Sequence, residues 1–434
     1  MRLFEVVDLV EGKPINISKD EEIKEFVIDS RIAKKNSLFI PLKGSRDGHD
    51  FIEDALKNQA SGYLTQKPLN YPNGILVKDT YQALKKIAKE KRKNIKTVVG
   101  ITGSSGKTST KELTKFVLSV FFNVHATSGN YNNEIGVPLT LANTPEDTDL
   151  AIIEMGAGKV GDIDYLNDIV NPDIGVLVSV GEAHIEKFGS FENIVKGKGE
   201  IFNKAFYHVL PFNLLHYYKD KLKNFITFGE DGDIKVFDVK ITSQGTYGVV
   251  AYKNDQLELT IPIFNKGVFK NVGAVAGILY HLGLDPIKSL EILRDFKQPE
   301  GRGSILKVGS ITVIDDSYNA NPLSVKNAIE TLNEIPTVKV LVLGDMLELG
   351  QFSEKLHREI AREILKTDID YVFLYGEETK YILQELKDKK FVLHTTKENI
   401  AKEIKKLEKL NPTVLVKGSR GMKMEEVIEY LKNW

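Results

Sequence analysis

The stretch Val98-Val99-Gly100-Ile101-Thr102-Gly103-Ser104-Ser105-Gly106-Lys107-Thr108-Ser109-Thr110-Lys111-Glu112 decides how this chain is read. Its apolar beginning predicts a buried strand over Thr97–Thr102, and its end predicts a helix from Lys107 to near Phe121. Glycines between the two let backbone wrap a phosphate, and successive N–H groups at a helix N-terminus bind an anion. Gly103, Ser104, Ser105, Gly106 and Ser109 are therefore candidates to hold a nucleotide. Lys107 would reach the outer phosphates and the Thr108 hydroxyl would ligate magnesium. The strict pattern GxxxxGK[ST] fails, because Ile101 stands where its first glycine belongs, but the shorter T-G-x-x-G-K-T is present. A Gly/Ser turn before an ordinary helix is the competing reading; the strand before and the helix after favour nucleotide binding.

Downstream, Glu154 ends the apolar run LAIIEM and His184 follows IGVLVSVGEA. In open parallel sheets ligands collect beyond the carboxyl ends of strands, the end on which the phosphate loop also lies. Glu154 and His184 are thus candidates for divalent metal, which phosphoryl transfer needs against accumulating charge. Each alone reads equally well as a solvated strand end or a satisfied loop histidine. Lys198, in VKGKGE, reads on its own as surface charge.

Further out, 434 residues suggest about three domains at roughly 150 residues each. The expected boundaries are 1–94, 95–298 and 299–434. Short β-like stretches (Phe26–Asp29, Ser37–Pro41, Ser61–Leu64) and a helix at His49–Asn58 mark the first. The polar helical stretch Tyr81–Asn94 reads as a connector. The second continues with strands Leu150–Met155 and Ile174–Val180, an antiparallel meander from Phe225 to Ile263 and a helix over Val268–Leu282. The break Gln298–Ser304 precedes a smaller α/β domain with strands at Thr312–Ile314, Val338–Leu343, Tyr371–Tyr375, Phe391–His394 and Thr413–Val416. The fold class is α/β: a small N-terminal α/β domain, a central domain with a mostly parallel sheet plus the meander, and a second, smaller α/β domain.

Lys+Arg 59 against Asp+Glu 60 leaves a net charge of −1, which argues against a general nucleic-acid or membrane-surface binder. With no cysteine, disulfides, thiolate zinc sites and cysteine nucleophiles are excluded. Glu5 and Asp8 interrupt the early apolar stretch, and no run reaches the roughly 20 apolar residues of a transmembrane helix. A cytoplasmic location is expected.

No arginine lies between Arg92 and Arg294. Arg302, in EGRG at the start of the last domain, would reach nucleotide phosphates only on domain closure. In IDDSYNANP (Ile314–Pro322), Asp316 at a strand end suits bidentate hydrogen bonding to a ribose, while Asn321-Pro322 is also an ordinary helix entry.

Together these motifs resemble the Mur ligases, most closely the MurF type. The resemblance spans the chain: DSR (Asp29–Arg31), GSRDGHDF (Gly44–Phe51), TGSSGKTSTKE, SGNYNNEIGVPLTL (Ser128–Leu141), IIEMGA, AHIEKFGSFENIVKGKGEIF (Ala183–Phe202), DDSYNANP, LGDMLELG (Leu343–Gly350) and VKGSRGMKMEEV (Val416–Val427). It implies a UDP-sugar domain, a central ATPase and a Rossmann-like domain, in an ATP-dependent acid–amino-acid ligase of peptidoglycan precursor synthesis. The substrates it implies are UDP-N-acetylmuramoyl-tripeptide and D-alanyl-D-alanine, joined through an acyl phosphate by a monomer.

By that likeness Lys107 and Thr108 bind ATP phosphates and metal. Glu154 and His184 hold two magnesium ions, and Lys198 is a carbamate facing the metal. Asn271 contacts adenine, Arg302 the nucleotide and Asp316 the ribose. The family's usual His-Asn before the adenine asparagine is here Phe269-Lys270. Ser30 and Arg31 would face the UDP end. Asn130 and Asn133 lie near phosphates and substrate, and Tyr318, Asn319, Asn321, Lys417, Ser419 and Arg420 near the tripeptide or the dipeptide. A folate-type ligase sharing the ATP site and a nucleotide-dependent switch are the alternatives.

Overall fold

A computed structural model describes residues 1–242, 244–297, 301–387 and 391–433. The chain is α/β with three sheets and divides into two compact units that interleave in sequence. One comprises Met1–Gly100, Phe121–Gly156 and Asp164–Asp173; the other comprises Ile101–Val120, Ala157–Ile163 and the chain from 174 onward. The expected strand Thr97–Thr102 and helix Lys107–Leu118 both form.

In the first unit a five-stranded sheet runs in the order Lys13–Ile15, Gly74–Leu76, Gly62–Thr65, Ser37–Phe39, Glu25–Val27, parallel except for its first pair. Alternate residues of a strand face opposite sides. Phe26, Leu38 and Leu64 accordingly join one core with Leu3, Val6 and Val10 of the helix Leu3–Val10, while Val27, Phe39 and Tyr63 join another with Ile52 and Ala55.

The stretch read as a connector is a packing element instead. Helix Thr80–Lys93 buries Ala83, Leu84, Ile87 and Ala88, and its strongly charged face hides that stripe from a composition-based reading. Asp79 caps its start by accepting from Gln82 N at 2.9 Å. At its end Arg92 donates to the carbonyls of Val170 and Asn171 and to Asp173, each at 2.8 Å. The helix packs on Gly136–Ala142, whose following residue Asn143 clasps the edge strand at Phe26, accepting from its N–H at 2.8 Å and donating to its carbonyl at 2.9 Å. That packing ties the front segment to chain far downstream.

In the second unit Ile174–Leu177, Tyr207–Pro211 and Asn224–Gly229 are neighbouring parallel strands. The antiparallel meander begins at Ile234 rather than Phe225. Asp233 folds the link back by accepting from Thr227 N (2.9 Å) and Thr227 Oγ1 (2.7 Å), so the chain restarts parallel beside Phe228. Ile234–Thr242, Gly245–Tyr252 and Asp255–Ile261 then run antiparallel. Helix Lys107–Leu118 packs on helix Val268–His281, and Phe116 meets Phe296 edge-on at 5.3 Å.

The break expected at Gln298–Ser304 begins outside the described residues, at 298–300. Beyond it lies a six-stranded sheet in the order Ser304–Val308, Ile311–Asp316, Thr413–Lys417, Lys339–Gly344, Tyr371–Tyr375, Phe391–His394, antiparallel only at its first pair. Asp316 and Lys417 therefore end adjacent parallel strands, in register with each other. Among the described residues no helix is long and apolar enough to cross a membrane.

Candidate active site

Two glycines shape the phosphate loop. Gly106 takes φ 81° as the N-cap of helix Lys107–Leu118, a left-handed position that glycine adopts at little cost. A Cβ there would meet Asn271 Oδ1 at 2.6 Å, so the buried Asn271 lies against the loop. The loop is pinned by Ser104 N on Ser179 O (3.0 Å), Ser104 Oγ on Gly181 O (2.9 Å) and Ser105 N on Ser179 Oγ (2.9 Å). Lys107 Nζ donates to Gly103 O at 2.8 Å. With its backbone fixed by side chains already in place, the loop presents the helix N-terminus without reorganising. Gly106→Ala is expected to cost about 1–3 kcal/mol through left-handed strain and the Asn271 clash, lowering the thermal midpoint and weakening nucleotide binding together.

Lys198 is where sequence and structure part most clearly. It is 1% exposed, with Nζ on Ala157 O at 3.1 Å and 5.4 Å from the Phe188 ring centroid. Its neighbours explain the burial. A Cβ at Gly197 would strike Phe188 Cε1 at 2.7 Å, and one at Gly199 would strike Tyr218 Cε1 at 2.3 Å. Gly197 lets the Phe188 ring close on the lysine, and Gly199 lets the Tyr218 ring pack on the next residue of the chain. Burial first, and then the charge of Lys107, push its amine well below the usual lysine value, against the pull of Asp162 and Glu200.

His184 has φ 57° and begins the short helix Ile185–Phe188. Its Nδ1 forms an ion-pair contact with Glu348 that is not an aligned hydrogen bond. Burial pushes its imidazole below the ordinary histidine value, with Glu348 opposing.

A third group gathers around the strand ends Asp316 and Lys417. Lys417 Nζ donates to Asp316 Oδ2 at 2.6 Å and to Asn319 O at 2.9 Å. Burial raises the Asp316 carboxyl above its usual value even though Lys417 and Arg302 oppose it. Asp315 instead accepts from the N–H and hydroxyl of Ser317. The Arg302 guanidinium stacks 3.8 Å from the centroid of the Tyr318 ring, with that of Arg420 5.7 Å from it. Asn321 caps its helix through Ser324 N at 2.9 Å and also donates to Ser104 O at 3.2 Å, so capping and approach to the phosphate loop both hold. Ser419 Oγ donates to Ala320 O (3.1 Å) and accepts from Leu347 N (2.8 Å), and Arg420 N donates to Asn319 Oδ1 at 3.3 Å.

The remaining candidates belong to the other unit. Glu154 is 2% exposed; its N–H donates to Thr127 Oγ1 and its Oε1 accepts from Asn132 Nδ2 at 2.8 Å. Asn132, which the sequence reading passed over between Asn130 and Asn133, is the asparagine that touches this carboxylate. Asn133 Oδ1 accepts from Ile135 N at 3.2 Å and Gly136 N at 2.8 Å ahead of the helix Gly136–Ala142, and Asn130 is exposed. Ser30 is buried and accepts through its carbonyl from Asn58 at 2.9 Å. Arg31 is exposed and forks onto Asp29, Nη2 to Oδ2 at 2.6 Å. In GSRDGHDF, Asp47 holds His49 Nδ1 at 2.6 Å, so part of that motif builds the fold.

Among the described residues no three His, Asp or Glu gather as a metal cluster. The expected donor set has one imidazole, one carboxylate, one hydroxyl and one amine. Magnesium favours oxygen, so the set fits the ion only where Lys198 supplies oxygens as a carbamate.

A glycine-shaped phosphate loop with a lysine at its helix N-terminus defines a nucleotide-binding fold. The family description "Mur ligase middle domain" matches residues 101–279, and "Mur ligase, glutamate ligase domain" matches 301–420. A UDP-N-acetylmuramoyl-tripeptide–D-alanyl-D-alanine ligase of Rickettsia prowazekii is 35% identical, with 96% of this chain and 97% of that protein covered. The crystal structure of MurF from Acinetobacter baumannii superposes with TM-score 0.90 at 26% identity, covering 100% of this chain and 98% of that one. MurF ligase from Thermotoga maritima in complex with ADP gives TM-score 0.85 at 31% identity over 94% and 97%. The chain belongs to the Mur ligase family, and within it to the MurF type.

Proposed function

We propose that the protein joins D-alanyl-D-alanine to UDP-N-acetylmuramoyl-tripeptide at the expense of ATP, giving the pentapeptide, ADP and phosphate in peptidoglycan precursor synthesis. The observation that carries this is the preorganised phosphate loop Gly103–Thr108 in a chain that is 35% identical over 96% of its length to a ligase of that name. A carboxylate acylates poorly at neutral pH, so phosphoryl transfer to the tripeptide carboxylate makes an acyl phosphate whose oxygen can leave. The dipeptide amine then attacks and phosphate departs. Lys107 offsets repulsion between the anionic carboxylate and the triphosphate. Magnesium, when bound, neutralises the phosphate charge, and Thr108, Glu154, His184 and carbamylated Lys198 are the residues that would hold two ions.

On this reading Ser104, Ser105, Ser109, Asn271, Arg302 and Asp316 hold ATP. Ser30 and Arg31 face the UDP end, and Asn130, Asn133, Tyr318, Asn319, Asn321, Lys417, Ser419 and Arg420 face the peptides. Segments 1–94, 95–298 and 299–434 act as the UDP-sugar, ATP and C-terminal domains of a cytoplasmic monomer. Phosphate release from ATP and magnesium tests the reaction, with UDP-muramoyl tripeptides varied and D-alanyl-D-alanine present or omitted. Release that needs both partners is expected, and release indifferent to both would leave only an ATPase. The carbamate has its own test. A carbonyl signal from isotope-labelled bicarbonate is expected in the wild-type protein and not in Lys198→Ala, and no such signal in either would remove it from the reading.

A further inference from the structure

Glu348, in the loop after strand Lys339–Gly344, has φ 60°, a left-handed backbone unusual for a residue with a side chain. Its carboxylate is taken from two sides by one short element: Lys187 Nζ lies 2.5 Å from Oε1, and His184 Nδ1 contacts Oε2. Two residues on, Gly350 has φ +52°, and a Cβ there would meet Glu186 Cγ at 2.7 Å. A glycine and a strained glutamate thus bring this loop against the residues 184–187.

Exposed ion pairs contribute little stability, and the Glu348 and Lys187 side chains are 42% and 55% exposed. The arrangement instead controls the imidazole. A neutral imidazole carries one proton, and only its other nitrogen can donate a lone pair to a cation. A carboxylate in charge contact with Nδ1 favours the proton on that nitrogen, even where the N–H is not aligned on the oxygen, and so raises the basicity of Nε2. Lys187, by occupying Oε1, leaves Oε2 for the ring.

We propose that Glu348 is a positioning residue for His184: it holds the Nδ1–H tautomer and so presents Nε2 to the divalent cation that accompanies the nucleotide. This rests on the reading of His184 as a metal ligand. It adds that a residue within the segment 301–420 governs a ligand within the segment 101–279, so that cation affinity depends on how the loop around Glu348 lies against His184.

The test uses the full-length protein with ADP and Mn²⁺ as a paramagnetic probe. Glu348→Ala and Glu348→Gln are expected to weaken Mn²⁺ binding roughly tenfold. Histidine-labelled protein is expected to show the His184 ring as the Nδ1–H tautomer in the wild type and as a tautomer mixture in Glu348→Ala. His184→Ala should weaken Mn²⁺ binding at least as much, and adding Glu348→Ala to it should change nothing more. If His184→Ala weakens binding while Glu348→Ala alters neither affinity nor tautomer, the positioning role is overturned and the metal ligand stands. If Glu348→Ala costs as much in the His184→Ala background, the effect runs by another route and the proposal also fails. If His184→Ala leaves Mn²⁺ affinity unchanged, the metal-ligand reading itself falls, and this inference with it.

Discussion

Lys107→Ala is expected to lower kcat/KM for peptide-bond formation by about 10³-fold while leaving the fold intact. Lys107 stands at the first position of the helix Lys107–Leu118, with Nζ on Gly103 O at 2.8 Å. Removing that hydrogen bond costs about 1 kcal/mol, the usual net contribution of a single hydrogen bond. Removing the charge is another matter: phosphate oxygens would meet backbone N–H groups without the one cation of the loop. Lys107→Arg should rescue poorly, since a planar fork does not replace a compact ammonium point charge. A second readout separates this from simple loss of affinity. Lys107 is also among the groups that keep the Lys198 amine low, so Lys107→Ala should reduce capture of labelled bicarbonate at Lys198. Steady-state phosphate release and calorimetric ADP binding would measure the first effect. Unchanged kcat/KM would remove Lys107 from the reaction.

The phosphate loop was legible because its chemistry is local: one strand, two glycines and one helix start lie within a few residues of sequence. The same holds for Asp316, where a strand end and an asparagine cap can be read directly. Lys198 was illegible for the opposite reason. The ring beside it belongs to Phe188, ten residues earlier, brought in over Gly197, a glycine whose role emerges only once the ring is in place. Asn132 and Glu348 were missed in a similar way. Each acts on a residue far off in sequence, Glu154 and His184 respectively, and neither spacing has a signature.

In the fold, buried strands such as Thr97–Thr102 and Lys339–Gly344 were evident from their apolar runs. Ser304–Val308 was not, because none of its five residues is buried: Ser304, Leu306 and Val308 are half-buried while Ile305 and Lys307 are exposed, so no apolar run marks it. The helix Thr80–Lys93 reads as a connector in sequence because lysines dominate its composition, although its apolar stripe recurs at helical spacing.

The pair at the strand ends carries the largest expected effect on stability. Lys417 is 3% exposed and Asp316 16% at the side chain, and their contact is 2.6 Å. Lys417→Ala would leave the carboxylate without its ammonium and Asn319 O without its donor. Breaking one side of such a buried pair costs about 3–5 kcal/mol, because the surviving charge has lost its solvent and its partner. Replacing both residues with neutral groups of similar volume removes the uncompensated charge, so Asp316→Asn with Lys417→Met should recover most of that loss. Denaturant unfolding of the two single variants and the double would show it as a midpoint that falls and then returns. Activity should not return with it. If Asp316 holds the ribose and Lys417 fixes both that carboxylate and the 319–321 turn, the restabilised double variant remains a folded protein with weakened ATP binding. A double variant that regained stability and full nucleotide affinity would make the pair a structural clasp alone. Single variants as stable as the wild type would mean that water reaches Asp316 more freely than its burial implies.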